Sequence, residues 1–338
     1  MLTIRQKLEL YWPVLALFTG YLLALAILAA YHHFIFFSEG IFIPLFFLIA
    51  YLSRRTKAFI NDWAIYLAIL LLLNALRGLN FSLVNYWQLH LYSNFLINLE
   101  KFVTFGHIVP HLAQQFFFRN NVISVTDDLF AMLYGSHFLI FIFFGLFLWF
   151  SNQPDFWRYK LAFILITLIA LIFFLIFPTM PPWLASEHNL IPKVVPLTAD
   201  IYNMSTPTLF NFFNSNPVAA MPSLHAGFAT LCFLIGVHHF HKKALFLIVY
   251  VLLVYSACLI LGAHYLVDLL AGSLLAIFVY LIVYKTEWFQ ILAPRIINHP
   301  TNYYIIIKIV FAFLILYLTL VISVLSSYLL TKSHLIPL

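Results

Sequence analysis

Residues 262–284 read GAHYLVDLLAGSLLAIFVYLIVY, and the fold turns on them. From Tyr265 to Tyr284 the only charged residue is Asp268. A helix needs about 20 predominantly apolar residues to cross the hydrocarbon core of a bilayer, so this run has the length of a membrane span. His264 and Asp268 stand at its start, four residues apart. That spacing places both on one helical face. Ionisable groups inside a membrane are costly, which makes each a functional candidate.

Outward from this run the composition says the same. Of the 338 residues, 64% are apolar and 8% are charged, against roughly half and a quarter in soluble domains. The sequence predicts an all-α, polytopic transmembrane helix bundle of about nine spans, near 11–31, 35–53, 60–80, 128–150, 161–178, 221–240, 244–262, 264–284 and 303–330. The first, about Trp12 to Tyr31, is too long for a signal peptide and reads as a retained helix. Three parts follow: N-terminal helices over 1–59, a catalytic core over 60–285 and a C-terminal helix within 286–338. Internal repeats, the mark of solenoids and inverted-repeat transporters, are absent. Cys232 and Cys258 lie in apolar runs, where a free cysteine acts as a small hydrophobe and implies neither disulfide nor zinc.

Lysine and arginine concentrate in cytoplasmic loops. Alternate loops from the N-terminus carry Arg5, Lys7, Arg54, Arg55, Lys57, Arg158, Lys160, Lys242, Lys243, Lys285 and Arg295, while the opposite side has Lys101, Arg119, Lys193 and Lys332. The N-terminus is therefore expected to be cytoplasmic. The formal charge of +6 is scattered between spans, unlike the grouped basic surface of a nucleic-acid binder. Two segments on the opposite side, 81–127 and 178–220, exceed what a connector needs. The first has the mixed aromatic and polar pattern of helices lying in the membrane interface. In the second, PTMPPWLA and NPVAAMP forbid one continuous helix.

On this orientation His225 and His264 begin their spans at the same, non-cytoplasmic face, near helix N-termini that favour an anion. Arg77 sits near the outer end of the third span. A lone intramembrane histidine is most often structural or part of a proton relay; two on one face with an aspartate point to chemistry. Histidine and aspartate also suit zinc, but no third ligand has the usual spacing, and neither metal nor cofactor is expected.

The runs NPVAAMPSLHAGFA (216–229) and GAHYLVDLLAG (262–272) resemble the two catalytic motifs of the type 2 phosphatidic acid phosphatase superfamily. The resemblance is nearest to the membrane branch that includes inositol phosphorylceramide synthase and its bacterial homologues, and it extends over about 74–284, with PTMPPW (178–183) and Arg77-Gly78 as further shared features. It implies a six-helix core in which His264 attacks phosphorus and becomes a phosphohistidine. Asp268 would orient its imidazole, and His225 would protonate the leaving alkoxide and then deprotonate the acceptor.

The sequence also departs from the phosphatase branch. Cys258 occupies the position, six residues before the nucleophile, where that branch carries arginine, and its K-x6-R-P motif is missing. A dianionic monoester would want those cations, so the departures favour transfer of a phosphodiester head group. Arg77 is the leading phosphate ligand, with a structural bridge to a helix end as its other reading. Lys193 is a weaker ligand, and Ser223 either donates to the phosphate or caps its helix, the commoner role.

The expected function is therefore transfer of a head group such as phosphoinositol from a phospholipid to a ceramide or diacylglycerol. Its partners would be the donor, the acceptor and the bilayer, with no nucleic acid; the oligomeric state is open. The same residues would also serve hydrolysis of phosphatidate or a polyprenyl pyrophosphate. A transporter or flippase using them as a proton path, or a scaffold, are the readings from other classes.

Overall fold

The computed structural model describes residues 56–86, 88–118, 125–151, 153–197 and 216–286. The expected spans at 11–31, 35–53 and 303–330 lie outside the described residues. The helices are α1 (Thr56–Tyr86), α2 (Ser93–Val103), α3 (Val109–Phe117), α4 (Val125–Gly135), α5 (His137–Ser151), α6 (Gln153–Ile176), α7 (Pro182–Glu187), α8 (Leu224–Phe240), α9 (Leu247–Ile260) and α10 (Leu266–Lys285). No strand occurs among the described residues; one isolated parallel bridge joins Thr179 to Ala219.

Within α1, α6 and α10, the stretches Ala58–Tyr86, Asp155–Ile176 and Leu266–Lys285 are long and apolar enough to cross a membrane, and α4 with α5 makes a fourth if the bent pair is one span. The chain is thus a helical membrane protein. The expected span at 128–150 is broken: α4 ends at Gly135, and the pair bends by 46°. The Ser136 hydroxyl donates to the Leu133 carbonyl at 2.6 Å. A Gly-Ser pair is a usual site for such a kink. In turn α1 runs to Tyr86, past the expected end at 80, because nothing in FSLVNY breaks a helix.

Helix α6 forms the centre, with residues on every side of it buried, including Phe156, Tyr159, Ala162, Phe163, Ile166 and Leu171. On one side α1 brings Trp63 to 5.0 Å from the Phe156 ring and donates from Asn80 Nδ2 to the Leu171 carbonyl at 3.0 Å. On the other, Phe228 of α8 lies 5.0 Å from Phe163. Lipid tails are as apolar as leucine, so association between such helices rests on close packing and hydrogen bonds. Small residues serve that packing where α8 meets α10: a methyl at Gly272 would stand 2.0 Å from the Ser223 carbonyl oxygen, and one at Gly227 would stand 3.2 Å from the Gly272 oxygen.

Lys242 and Lys243 just after α8, and Lys285 at the end of α10, make one end of this bundle basic. At that end, where α6 starts and α8 and α10 finish, Asp155 meets His239 at 2.8 Å and Arg158 at 3.6 Å, and Lys160 donates to the Asp62 carbonyl at 2.8 Å. His225 and His264 occupy the other end. There the stretch from α2 through α3 turns Phe95, Phe102, Phe105 and Phe116 outward and buries Leu96, Ile97, Glu100 and Gln114.

Candidate active site

Three segments far apart in sequence meet at this end. Thr179 pairs with the segment before α8: its N–H donates to Val218 O at 2.9 Å, its carbonyl accepts from Ala220 N at 3.3 Å, and its hydroxyl accepts from Met221 N at 3.2 Å. Trp183 N donates to the Gly262 carbonyl at 3.2 Å. Asn216 reaches to α1, donating from Nδ2 to the Arg77 carbonyl at 2.9 Å. Pro178, Pro181, Pro217 and Pro222 thus keep the stretches before α7 and before α8 non-helical, and with Trp183 these stretches tie the two histidine motifs together.

Ser223 caps α8, its side chain accepting from Ala226 N at 3.5 Å, while its own N–H donates to the Asp268 carbonyl at 3.0 Å. That cross-link and the Gly272 contact set the approach of the two helices. His225 Nδ1 and His264 Nε2 are consequently 3.2 Å apart. On the other edge of the ring, His264 Nδ1 lies 3.5 Å from Asp268 Oδ2. Asp268 is fully buried and His264 is 6% exposed, so the carboxylate acts where water screens little. Below them Tyr255, Ser273 and Thr230 join α8, α9 and α10, with Tyr255 Oη to Ser273 Oγ at 2.5 Å and Thr230 Oγ1 to Ser273 Oγ at 2.7 Å.

His264 and Asp268 are not on one helix, as the spacing suggests. Asp268 Oδ2 accepts the Tyr265 N–H at 2.8 Å and so starts α10 at Leu266, leaving His264 in the preceding turn. Nor is the α10 N-terminus open to an anion. Glu100 of α2 fills it, with Oε1 accepting from Leu266 N at 3.3 Å and Oε2 from Val267 N at 3.1 Å. Burial pushes the Glu100 carboxyl above its ordinary value; hydrogen bonds from Val267, Leu266 and Val109 oppose that rise, and the nearby Asp268 charge adds to it. Gln114 holds the turn before His264, donating to Ile260 O and Val195 O and accepting from Val195 N, at 2.8–2.9 Å.

The remaining expected ligands divide. Arg77 is tied to the segment that leads into α8, its carbonyl accepting from Asn216 Nδ2 at 2.9 Å. Lys193 is exposed; among the described residues its ammonium makes no ion pair, and its carbonyl accepts from His111 Nδ1 at 2.8 Å. Cys258 is buried in an apolar cluster with Ala226, Val254 and Leu269. Its carbonyl accepts from Ala263 N at 3.0 Å and His264 N at 3.3 Å.

Two groups on His225 escape the sequence reading. The Tyr134 ring stacks on it with centroids 4.0 Å apart, and His137 packs at 3.9 Å. His137 Nδ1 donates to the Tyr134 carbonyl at 2.7 Å. A histidine inside the apolar run 128–150 was itself a signal. Glu100, in the mixed stretch NLEKF, carried none.

His225 and His264, backed by the buried Asp268, sit on a helical membrane scaffold, and the sequence comparison assigns that scaffold to a family. The PAP2 superfamily model matches residues 94–282, more than half of the chain, and the chain belongs to that superfamily. The match begins after Arg77, later than the resemblance at about 74 suggests. Over 131 residues the chain is 30% identical to the inositol phosphorylceramide synthase catalytic subunit of Schizosaccharomyces pombe, covering 36% of this chain and 31% of that protein. It therefore spans about a third of the length of the relative it matches. No solved structure matches.

Proposed function

We propose that the protein moves a phospho-head group from a phospholipid to a lipid alcohol, a ceramide or diacylglycerol, through a phosphohistidine on His264. The observation that carries the reading is the order Asp268, His264, His225, with contacts of 3.5 and 3.2 Å on opposite edges of the His264 ring. Asp268 favours the tautomer with the proton on Nδ1, which leaves the Nε2 lone pair facing His225.

In the first half-reaction that lone pair attacks phosphorus and the bond to the diacylglycerol oxygen breaks. His225, protonated, gives its proton to the departing alkoxide. Asp268 stabilises the positive charge that the phosphorylated imidazole carries. In the second, His225 takes the proton of the acceptor hydroxyl, whose oxygen attacks phosphorus and frees His264. Arg77 pairs with the phosphoryl oxygens; Ser223 caps α8, and Lys193 at most meets a head group at the rim.

Transfer is favoured over hydrolysis because Cys258, where a phosphatase would need arginine, is enclosed by apolar side chains. A guanidinium there would have to be desolvated among those buried apolar side chains. The similarity to inositol phosphorylceramide synthase supports the same choice. We read the chain as nine spans around a six-helix core of α1, the α4/α5 pair, α6, α8, α9 and α10. The cytoplasmic side is at the basic end and the histidines are at the non-cytoplasmic face; α2 and α3 lie in the interface there. The test is product analysis in vesicles holding labelled phosphatidylinositol and ceramide. Labelled phosphosphingolipid is expected, and release of water-soluble inositol phosphate alone would turn the assignment to hydrolysis.

A further inference from the structure

Glu100 is fully buried, yet it belongs to a helix with a strongly aromatic outer face and touches neither histidine side chain through its hydrogen bonds. Its carboxylate spans two elements. Oε1 accepts from Val109 N, the first residue of α3, at 3.3 Å and from Leu266 N at 3.3 Å, while Oε2 accepts from Val267 N at 3.1 Å. Leu266 and Val267 are the first two residues of α10, immediately after His264 and Tyr265. The first four N–H groups of a helix have no partner inside it and carry its positive dipole end. A carboxylate from another element is taking the place that a capping side chain or a bound anion would otherwise fill.

We propose that Glu100 is a positioning residue: by pinning the first turn of α10 to α2 and α3, it fixes His264 at its distance from Asp268 and His225. The proposal rests on the reaction assigned above, since it gives Glu100 a role in placing that nucleophile. Asp268 holds only the Tyr265 amide, and Oδ2 must serve that amide and His264 Nδ1 together. Without Glu100, the dipole end of α10 would draw the Asp268 carboxylate more firmly onto the helix start and away from the imidazole. Gln114 restrains the other side of the same turn at Ile260, so His264 sits between two clamps supplied by one interfacial hairpin. Holding an ionised carboxylate in such a place is costly. A role in aligning the nucleophile accounts for that cost better than stability does.

The test uses the full-length protein in phosphatidylcholine vesicles with phosphatidylinositol as donor and a fluorescent ceramide as acceptor. It compares wild type with Glu100→Gln, Glu100→Asp and Lys101→Gln, the last an exposed neighbour on the same helix. Glu100→Gln is expected to lower kcat by about 10- to 100-fold, with KM for the donor within about threefold. Amide exchange at Leu266 and Val267 should rise by about tenfold or more while α8 stays protected. Glu100→Asp should fall between the two, and Lys101→Gln should match wild type. Wild-type kcat in Glu100→Gln, unchanged exchange at those amides, or equal loosening of α8 and α10 overturns the proposal. Wild-type protein inert on phosphatidylinositol and on phosphatidate would defeat the assigned reaction instead, and the exchange comparison would still judge whether Glu100 holds the helix.

Discussion

Gly272 of α10 faces the Ser223 carbonyl so closely that a methyl group there would lie 2.0 Å from the oxygen. Ser223 is the cap of α8, two residues before His225, and its N–H donates to the Asp268 carbonyl. One backbone contact therefore fixes the spacing of all three residues of the proposed centre. A side chain at 272 must push the helices apart at the level of the histidines. The energy of an overpacked core position is about 1–3 kcal/mol, and here the clash is with backbone, which cannot rotate away.

Gly272→Ala is accordingly expected to lower the thermal midpoint in detergent and to reduce transfer more than tenfold. Gly227→Ala, whose methyl would stand 3.2 Å from the Gly272 oxygen and 3.0 Å from Ile166 Cδ1, should show the milder form of both effects. Scanning fluorimetry with the ceramide assay ranks the pair, and a Gly272→Ala protein with wild-type stability and rate would contradict the packing argument.

His225 is asked to protonate a poor leaving group, a contribution of about 10²- to 10⁴-fold. His225→Ala should lose that factor with phosphatidylinositol. A phosphodiester with a nitrophenolate leaving group needs no proton, so its burst of nitrophenolate should survive in the variant. Equal losses with both donors would remove His225 from the acid's role.

Asp268→Asn keeps the shape and removes the charge. Its amide can favour the wrong tautomer of His264, and kcat should fall on the order of 10³-fold with little change in KM. Stopped-flow measurement of the first turnover reads the loss directly; a variant slowed only in KM would point to substrate binding.

The buried Glu100 carboxyl gives a stability signature with a defined sign. Its folded-state value is raised from 4.5, first by burial, so the folded protein keeps this proton at a pH where the unfolded chain has lost it. The group's contribution is fully present below 4.5 and declines as pH rises through the folded-state value. The midpoint of wild type relative to Glu100→Gln should therefore fall as pH rises above 4.5, and a difference that grows with pH would reverse the sign.

Much of this was legible in the chain itself. Apolar runs locate α1, α6 and α10, and PSLH and HYLVD mark the residues that meet at 3.2 and 3.5 Å. What was hidden depends on single hydrogen bonds, some local and some between distant segments. The break before Leu266 follows from the Asp268 side chain competing for a backbone amide, and hydropathy does not register a single hydrogen bond. The kink at Gly135-Ser136 is masked by strongly apolar flanks. Glu100 is hidden for a similar reason, because a glutamate beside a lysine reads as an exposed pair until α10 is folded against it.

The proposed mechanism stands or falls on the covalent step at His264. Protein incubated with phosphatidylinositol and no acceptor, quenched in alkali within milliseconds and digested, should carry inositol phosphate on the peptide containing His264. The adduct should vanish when ceramide is added and be absent from His264→Ala. Transfer that proceeds with no adduct, or that persists in His264→Ala, would contradict the account.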